Sequence, residues 1–291
     1  MTFKQRLFII VQYITPQHLL SRTIGFLAET QTPWFKNKLI SWFINRYKVN
    51  MSEAIYESYH EYKNFNEFFT RPLKEGMRPI DMAADAVVCP ADGAVSELGT
   101  IREGRVLQAK GHDYSLADLL GGDTERAKPF LNGEFATIYL SPKDYHRVHM
   151  PVAGTLTEMI YVPGQLFSVN QTTAENVSGL FARNERVVCI FETEYGKMAV
   201  VLVGAMIVAS IETVWAGLVT PPKRVLRTTK YGEASRQPIV LEKGAELGRF
   251  KLGSTAIIVF EPNRIAWNKE LKSLVATKMG QRIATITAKN S

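Results

Sequence analysis

The sequence predicts an α+β protein, with a β-rich core of sheet or barrel type behind an N-terminal layer of amphipathic helices. From about Ala86 onward, short β-branched apolar segments alternate with Gly, Pro, Asn and Asp, as in DAVVCPADGAVSEL, EFATIYLSP, GTLTEMIYVPG and AIIVFEP. That is the spacing of strands and turns. The first fifty residues instead carry the 3.6-residue period of helices. The chain has 291 residues, 46% of them hydrophobic, which is enough for a substantial core and too apolar for a disordered chain.

Phe3, Leu7, Ile10, Val11 and Ile14 share one helical face. Thr15-Pro16 reads as an N-cap with Pro at the first helical position of a second helix carrying Leu20, Ile24 and Leu27. Thr32-Pro33 repeats the signal before a third helix carrying Phe35, Leu39, Trp42, Phe43 and Arg46. Residues 1–50 hold Lys4, Arg6, Arg22, Lys36, Lys38, Arg46 and Lys48 against Glu29 alone, a net of +6 out of +7 for the whole chain. The basic character is therefore local. Amphipathic, aromatic and basic helices suit the surface of an anionic bilayer; the alternative is a helical layer docked on the protein's own core. No nucleic-acid partner is expected. The expected division is a membrane-associating helical segment, 1–50, and a β-rich domain, 51–291, with FNEFFTRPLKEGMRPID as a mixed connection.

The longest apolar run, Met198–Ile211, is too short to span a bilayer and too rich in Val for a helix, so it reads as buried strands. Gln12 breaks the N-terminal apolar patch and no small-residue cleavage site follows, which argues against a cleaved signal peptide. Gly232–Gly244 reads as a flexible loop. Cys89 and Cys189 make no disulfide framework and no zinc motif.

Chemistry-bearing residues are few. His146 and His149 stand three apart in YLSPKDYHRVHMPV, a weak metal signal without a clear third ligand, and His112 follows Gly111. Asp92 lies in PADG, by default a turn. GRFKLGSTAIIVF sets Gly253, Ser254 and Thr255 at the mouth of a buried strand; the plain reading is again a turn. A Ser, an Asp and two or three His are nonetheless the minimum for an activated hydroxyl nucleophile. Ser254 is not in a G-x-S-x-G elbow, which disfavours a lipase or esterase. It follows a glycine whose carbonyl no Cβ shields, so the hydroxyl could attack its own preceding carbonyl. The rivals are a metal-dependent hydrolase using Asp92, His146 and His149, and a membrane-binding module in which KLGST is only a turn.

FNEFFTRPL, PADG, QAKGHDYSL, YLSPKDYHRVHMP, YVPGQLFSVN, LFARNERV, ASIETVWAG and GRFKLGST, spread over about residues 60–260, closely resemble the bacterial type of the pyruvoyl-dependent phosphatidylserine decarboxylase family. The resemblance implies a proenzyme that cleaves itself between Gly253 and Ser254. Asp92, His149 and Ser254 would form the processing triad, with His149 as base and Asp92 as its orienter. The products would be a large chain, 1–253, and a small chain, 254–291, paired as a heterodimer and dimerised again. Ser254 would become a pyruvoyl group, the only cofactor implied, with no metal. Its ketone would form a Schiff base with phosphatidylserine and draw off the electrons left by carbon dioxide, to give phosphatidylethanolamine. His146 is the candidate proton donor. Tyr161, Leu166 and Phe167 are candidates for lining the acyl entrance, or else plain packing. The enzyme would sit peripherally on the cytoplasmic side of the cell membrane, where its basic segment meets anionic phosphatidylserine.

Overall fold

The computed structural model describes residues 2–109, 111–206, 210–219, 225–232, 238–251 and 254–287. Its centre is the strand Ser254–Phe260. It pairs antiparallel along all seven residues with Gly196–Gly204 on one side and Glu134–Leu140 on the other. The sheet continues outward through Arg186–Thr193, Gly154–Val162 and Arg227–Lys230 one way, and through Gly93–Thr100 and Ala276–Thr277 the other. Val240–Leu241 adds a ninth strand on Gly154–Val162. The two ends are not joined among the described residues, so the core is an open sheet and the barrel alternative falls away.

Both faces of this sheet are covered, which explains runs such as AIIVF that do not alternate with polar residues. Ala256, Ile258 and Phe260 enter one core with Leu140, Val200, Leu202 and Phe250. Ile257 and Val259 enter another with Phe130, Phe135, Val188, Val201 and Phe181. Each fully buried large apolar side chain here contributes about 1.5–3 kcal/mol. The first core is closed by two smaller sheets. One is Ala86–Val88, Arg282–Ile286 and Ile265–Trp267; the other is Gly217–Leu218, Ser210–Thr213, Glu246–Lys251 and Arg147–His149. Residues 198–206 and 210–211 of the apolar run are buried or nearly so, in two strands and the turn after the first. Both cysteines are free and buried.

Three helices precede the sheets: α1 (Phe3–Ile14), α2 (Gln17–Ala28) and α3 (Pro33–Tyr47). Pro33 takes the first position of α3 as expected, but α2 starts one residue late. Pro16 is its N-cap position, while Thr15 ends α1 and donates its hydroxyl to the Val11 carbonyl. The helices are built inside out. The buried residues of α1 are Ile9 and Gln12, and those of α2 are Gln17, Ser21, Gly25 and Ala28. Gln12 and Gln17 accept the backbone N–H groups of Ser168 and Leu166 at 2.8 and 2.7 Å, fastening both helices to the body. Most large apolar residues of α1 face outward, with Phe3 80% and Ile14 74% exposed, as does Phe26 of α2 at 77%, while Leu20 and Ile24 of α2 are half-buried. No helix of the described residues is long and apolar enough to cross a membrane. α3 packs by Ile40 and Phe43 on Tyr62, Phe65, Phe68 and Phe69, a separate aromatic core that includes the FNEFF segment.

The glycine of PADG is not a turn residue: Gly93 opens its strand. A Cβ there would stand 2.2 Å from the Tyr139 carbonyl oxygen, closer than any packing allows. Gly93→Ala should therefore force the two strands apart and cost about 1–3 kcal/mol, read as a lower midpoint in urea unfolding. A midpoint equal to that of the wild type would contradict this close approach.

Candidate active site

The site collects around a cavity of about 710 Å³ at the end of the Glu134–Leu140 strand, where Ser254 stands opposite Leu140. Asp92, Gly93, Tyr139, Ser141, Asp144 and Tyr145 line it, with Arg71 and Arg78. Asp92 is buried. Arg78 grips it through Nε (2.8 Å to Oδ1) and Nη2 (2.5 Å to Oδ2), and the Met279 N–H donates to Oδ1 at 2.9 Å. Arg78 also reaches Glu53 at 2.6 Å, so one guanidinium serves two carboxylates. These charge-assisted bonds compensate a carboxylate that is largely withdrawn from water.

His149 comes from the Arg147–His149 strand, and its backbone N–H donates to Pro90 O at 2.8 Å, two residues from Asp92. Its ring Nδ1–H donates to the Gly244 carbonyl at 2.8 Å. That fixes Nε2 as the lone-pair nitrogen, and it accepts from the Tyr145 hydroxyl at 3.2 Å. Burial holds His149 below the usual histidine range and pushes Tyr145 up to about 12. His149 is thus a neutral imidazole with one basic nitrogen. The chain brings Asp92 and His149 into one neighbourhood but does not hydrogen-bond them to each other. Arg78 occupies Asp92, and Gly244 fills the orienting place expected for it.

His146 is wholly buried against the Phe69 ring, 4.0 Å between centroids. Its Nδ1–H donates to Asp144 O at 2.8 Å, while Nε2 has no hydrogen-bond partner. Burial lowers its pKa to about 3, so it too is neutral. The Phe250 N–H donates to His146 O at 3.1 Å, which ties this histidine to the strand leading toward Gly253. Gly253 lies outside the described residues; Ser254 is described in its backbone, as the first residue of the central strand. His112 lies away from this cluster, on the Arg105–Ala109/His112–Ser115 hairpin. Among the described residues, no three His, Cys, Asp or Glu side chains are placed to hold a metal.

Tyr161, Leu166 and Phe167 do not line this cavity. All three are buried. The Tyr161 hydroxyl donates to Glu185 at 2.8 Å, and Phe167 packs edge-on to Tyr13 of α1 at 4.9 Å. Leu166 and Phe167 belong to the joint between helices and body, which is the packing alternative. Arg71, Arg78, Tyr145 and Gly244 were not singled out from the sequence. The two arginines sit in Arg-Pro steps that read as a connection, and only their neighbours reveal them.

The family described as "Phosphatidylserine decarboxylase" matches residues 65–285, and a second family pattern, described as "PSD", matches residues 7–48. The chain belongs to the phosphatidylserine decarboxylase family. It is 66% identical over 284 residues to a protein of Pseudomonas aeruginosa named "Phosphatidylserine decarboxylase proenzyme", covering 98% of both chains. It is 68% identical over 281 residues to proteins of the same name from Pseudomonas putida and Pseudomonas entomophila, covering 97% of this chain and 98% of theirs. The decarboxylase family pattern begins at the aromatic core under α3 and takes in both histidines, Asp92 and the whole central strand.

Two buried neutral histidines set the acid limb of stability. The unfolded chain binds protons near the ordinary histidine pKa of 6.5; in the folded chain burial lowers both, His146 to about 3 and His149 below its usual range. Stability should be level above about pH 7 and fall as pH drops below 6.5, by up to about 1.4 kcal/mol per pH unit for each histidine. Urea titrations from pH 7 to 4 measure this, and His146→Gln should flatten part of the slope.

Proposed function

We propose that this chain is a self-processing phosphatidylserine decarboxylase, cut between Gly253 and Ser254 into chains 1–253 and 254–291. It would act from the cytoplasmic face of the cell membrane, with residues 1–50 as the membrane-associating segment and 51–291 as the catalytic domain. The observation that carries this is identity of 66–68%, over nearly the whole chain, to relatives named as proenzymes of that activity.

In processing, Ser254 attacks the Gly253 carbonyl, His149 takes the hydroxyl proton on Nε2, and Asp92 supports the cation formed. The neutral state of His149 and its Gly244-set tautomer suit a base. The Tyr145 hydroxyl on Nε2 must yield its place to the serine. Asp92 acts either across the gap or after leaving Arg78. Cleavage need not separate the chains. Ser254–Phe260 stays paired on both sides, and Arg282–Ile286 lies between Ala86–Val88 and Ile265–Trp267. The small chain is therefore woven into both sheets.

A pyruvoyl group suits the N-terminus of that strand, which pairs opposite Leu140 at the end of the strand whose Tyr139 lines the cavity with Asp92 and Tyr145; behind the lining residues Asp144 and Tyr145, the buried His146 Nε2 is left without a partner. Once formed from Ser254, the group would supply a ketone that condenses with the substrate amine and accepts the electron pair released with carbon dioxide. His146 is the candidate proton carrier: Asp144 O holds its Nδ1–H and Phe69 covers its ring, so its lone-pair Nε2 would take up a proton released by the substrate ammonium on condensation and return it to the reacting carbon. The outward apolar stripe of α1 and α2 and the exposed Lys4, Arg6, Arg22 and Lys38 support contact with an anionic bilayer.

Ser254→Ala should remain one chain and release no carbon dioxide from phosphatidylserine. The wild type should give two masses by denaturing mass spectrometry, the smaller lighter by one ammonia than plain hydrolysis would leave it. A single-chain protein with full activity would overturn the reading. Ile10→Gln with Ile14→Gln should weaken partition onto phosphatidylserine vesicles about tenfold or more, since each buried Ile contributes about 1.5 kcal/mol or more. Unchanged sedimentation with vesicles would remove the membrane assignment.

A further inference from the structure

We propose that Arg71 forms the phosphodiester subsite of the cavity beside Asp92 and holds the headgroup phosphate of the lipid substrate, an assignment that rests on the decarboxylase reading above. Arg71 is 3% exposed and lines that cavity. Its Nη2 donates to Lys143 O at 2.9 Å, but Nε and Nη1, both buried, have no acceptor. No carboxylate pairs with it among the described residues.

The other arginines near the cavity or deep in the fold are accounted for. Arg78 has Asp92 and Glu53. Arg147 has Glu246 at 2.8 Å. Arg186, equally buried, is surrounded by the carbonyls of Leu119, Ala182, Asn184 and Asp118. Arg71 alone of these keeps unused donors at a cavity wall. A guanidinium does not shed its proton, so a buried one without partners is costly unless an oxyanion completes it. Phe68, 5.7 Å from the guanidinium carbon, covers one side of the group, and the cavity borders the residue elsewhere. Lys48 and Lys143, both exposed and free of ion pairs among the described residues, add positive charge at the same cavity.

The substrate offers two anions, a carboxylate and a phosphodiester. An arginine on the carboxylate would stabilise the charge that the reaction must discharge, lowering the ground state and raising the barrier. An arginine on the phosphodiester stabilises a charge that is the same before and after reaction. It contributes uniform binding and leaves the chemical step alone. Lys48 also ends α3, so this wall of the cavity adjoins the helical layer whose apolar face would lie on lipid. A headgroup phosphate extends from that surface toward the reacting amine.

The test compares processed wild type, Arg71→Gln and Arg71→Lys on phosphatidylserine in mixed micelles. Arg71→Gln should raise KM tenfold or more with kcat changed far less, and Arg71→Lys should recover part of the loss. A fall in kcat with KM unmoved, or no change in either, would overturn the subsite. The wild type supplies an arm that needs no variant to fold. Glycerophosphoethanolamine, a phosphodiester without carboxylate, should compete at least tenfold better than ethanolamine or serine. Serine competing as well as glycerophosphoethanolamine would make this a carboxylate site and overturn the proposal. Wild type that releases no carbon dioxide condemns the decarboxylase reading instead. Calorimetric titration of glycerophosphoethanolamine into wild type and Arg71→Lys then still reads the subsite: weaker binding to the variant supports it, equal binding overturns it.

Discussion

The full two-sided pairing of Ser254–Phe260 is the constraint on which the rest depends. A strand at the middle of a sheet buried on both faces cannot shift by one residue without reversing every side chain between the two cores. Its first residue is therefore fixed in space, opposite Leu140 and Gly204. Everything that must act on that residue can be placed around a stationary point. A chain break at the strand's start costs little, because backbone pairing and burial hold the segment without the peptide bond.

Around that point the protein keeps charge and neutrality apart. Asp92, Glu53 and Arg78 form a compensated ionic cluster on one side of the cavity. His146 and His149 are kept neutral by burial, each with its tautomer set by a carbonyl, Asp144 O and Gly244 O. A carbonyl accepts only from N–H, so each histidine presents the other nitrogen as a lone pair. Two histidines three residues apart share this logic but differ in surroundings: one meets a tyrosine hydroxyl, the other an aromatic ring and no partner.

The helical layer follows a different rule. Ordinary amphipathic helices turn their apolar face inward; α1 and α2 are fastened by glutamines and small residues and leave their apolar face outward. Glu29, at the end of α2, reaches Lys251 at 3.2 Å, two residues before Gly253. The helical layer and the strand Glu246–Lys251 are thus in direct contact.

The sequence alone determined the elements whose physics is local. Periodicity placed three N-terminal helices, β-branched runs placed the buried strands, and the charge count located the basic segment. The motif match pointed to Asp92, His149 and Ser254, and the three-residue spacing from His149 made His146 a candidate. Facing was not legible: the same period describes a helix turned inward or outward, and only contact with residues 166–168 decided that Gln12 lies inside. Nor was partnership. The Arg-Pro steps at 71 and 78 look alike in sequence, yet one arginine grips Asp92 and the other is left with unused donors. The Gly93 requirement and the Gly244 hydrogen bond were hidden for the same reason. Each depends on a backbone oxygen brought close by folding from dozens of residues away, and no local pattern records which oxygen that will be.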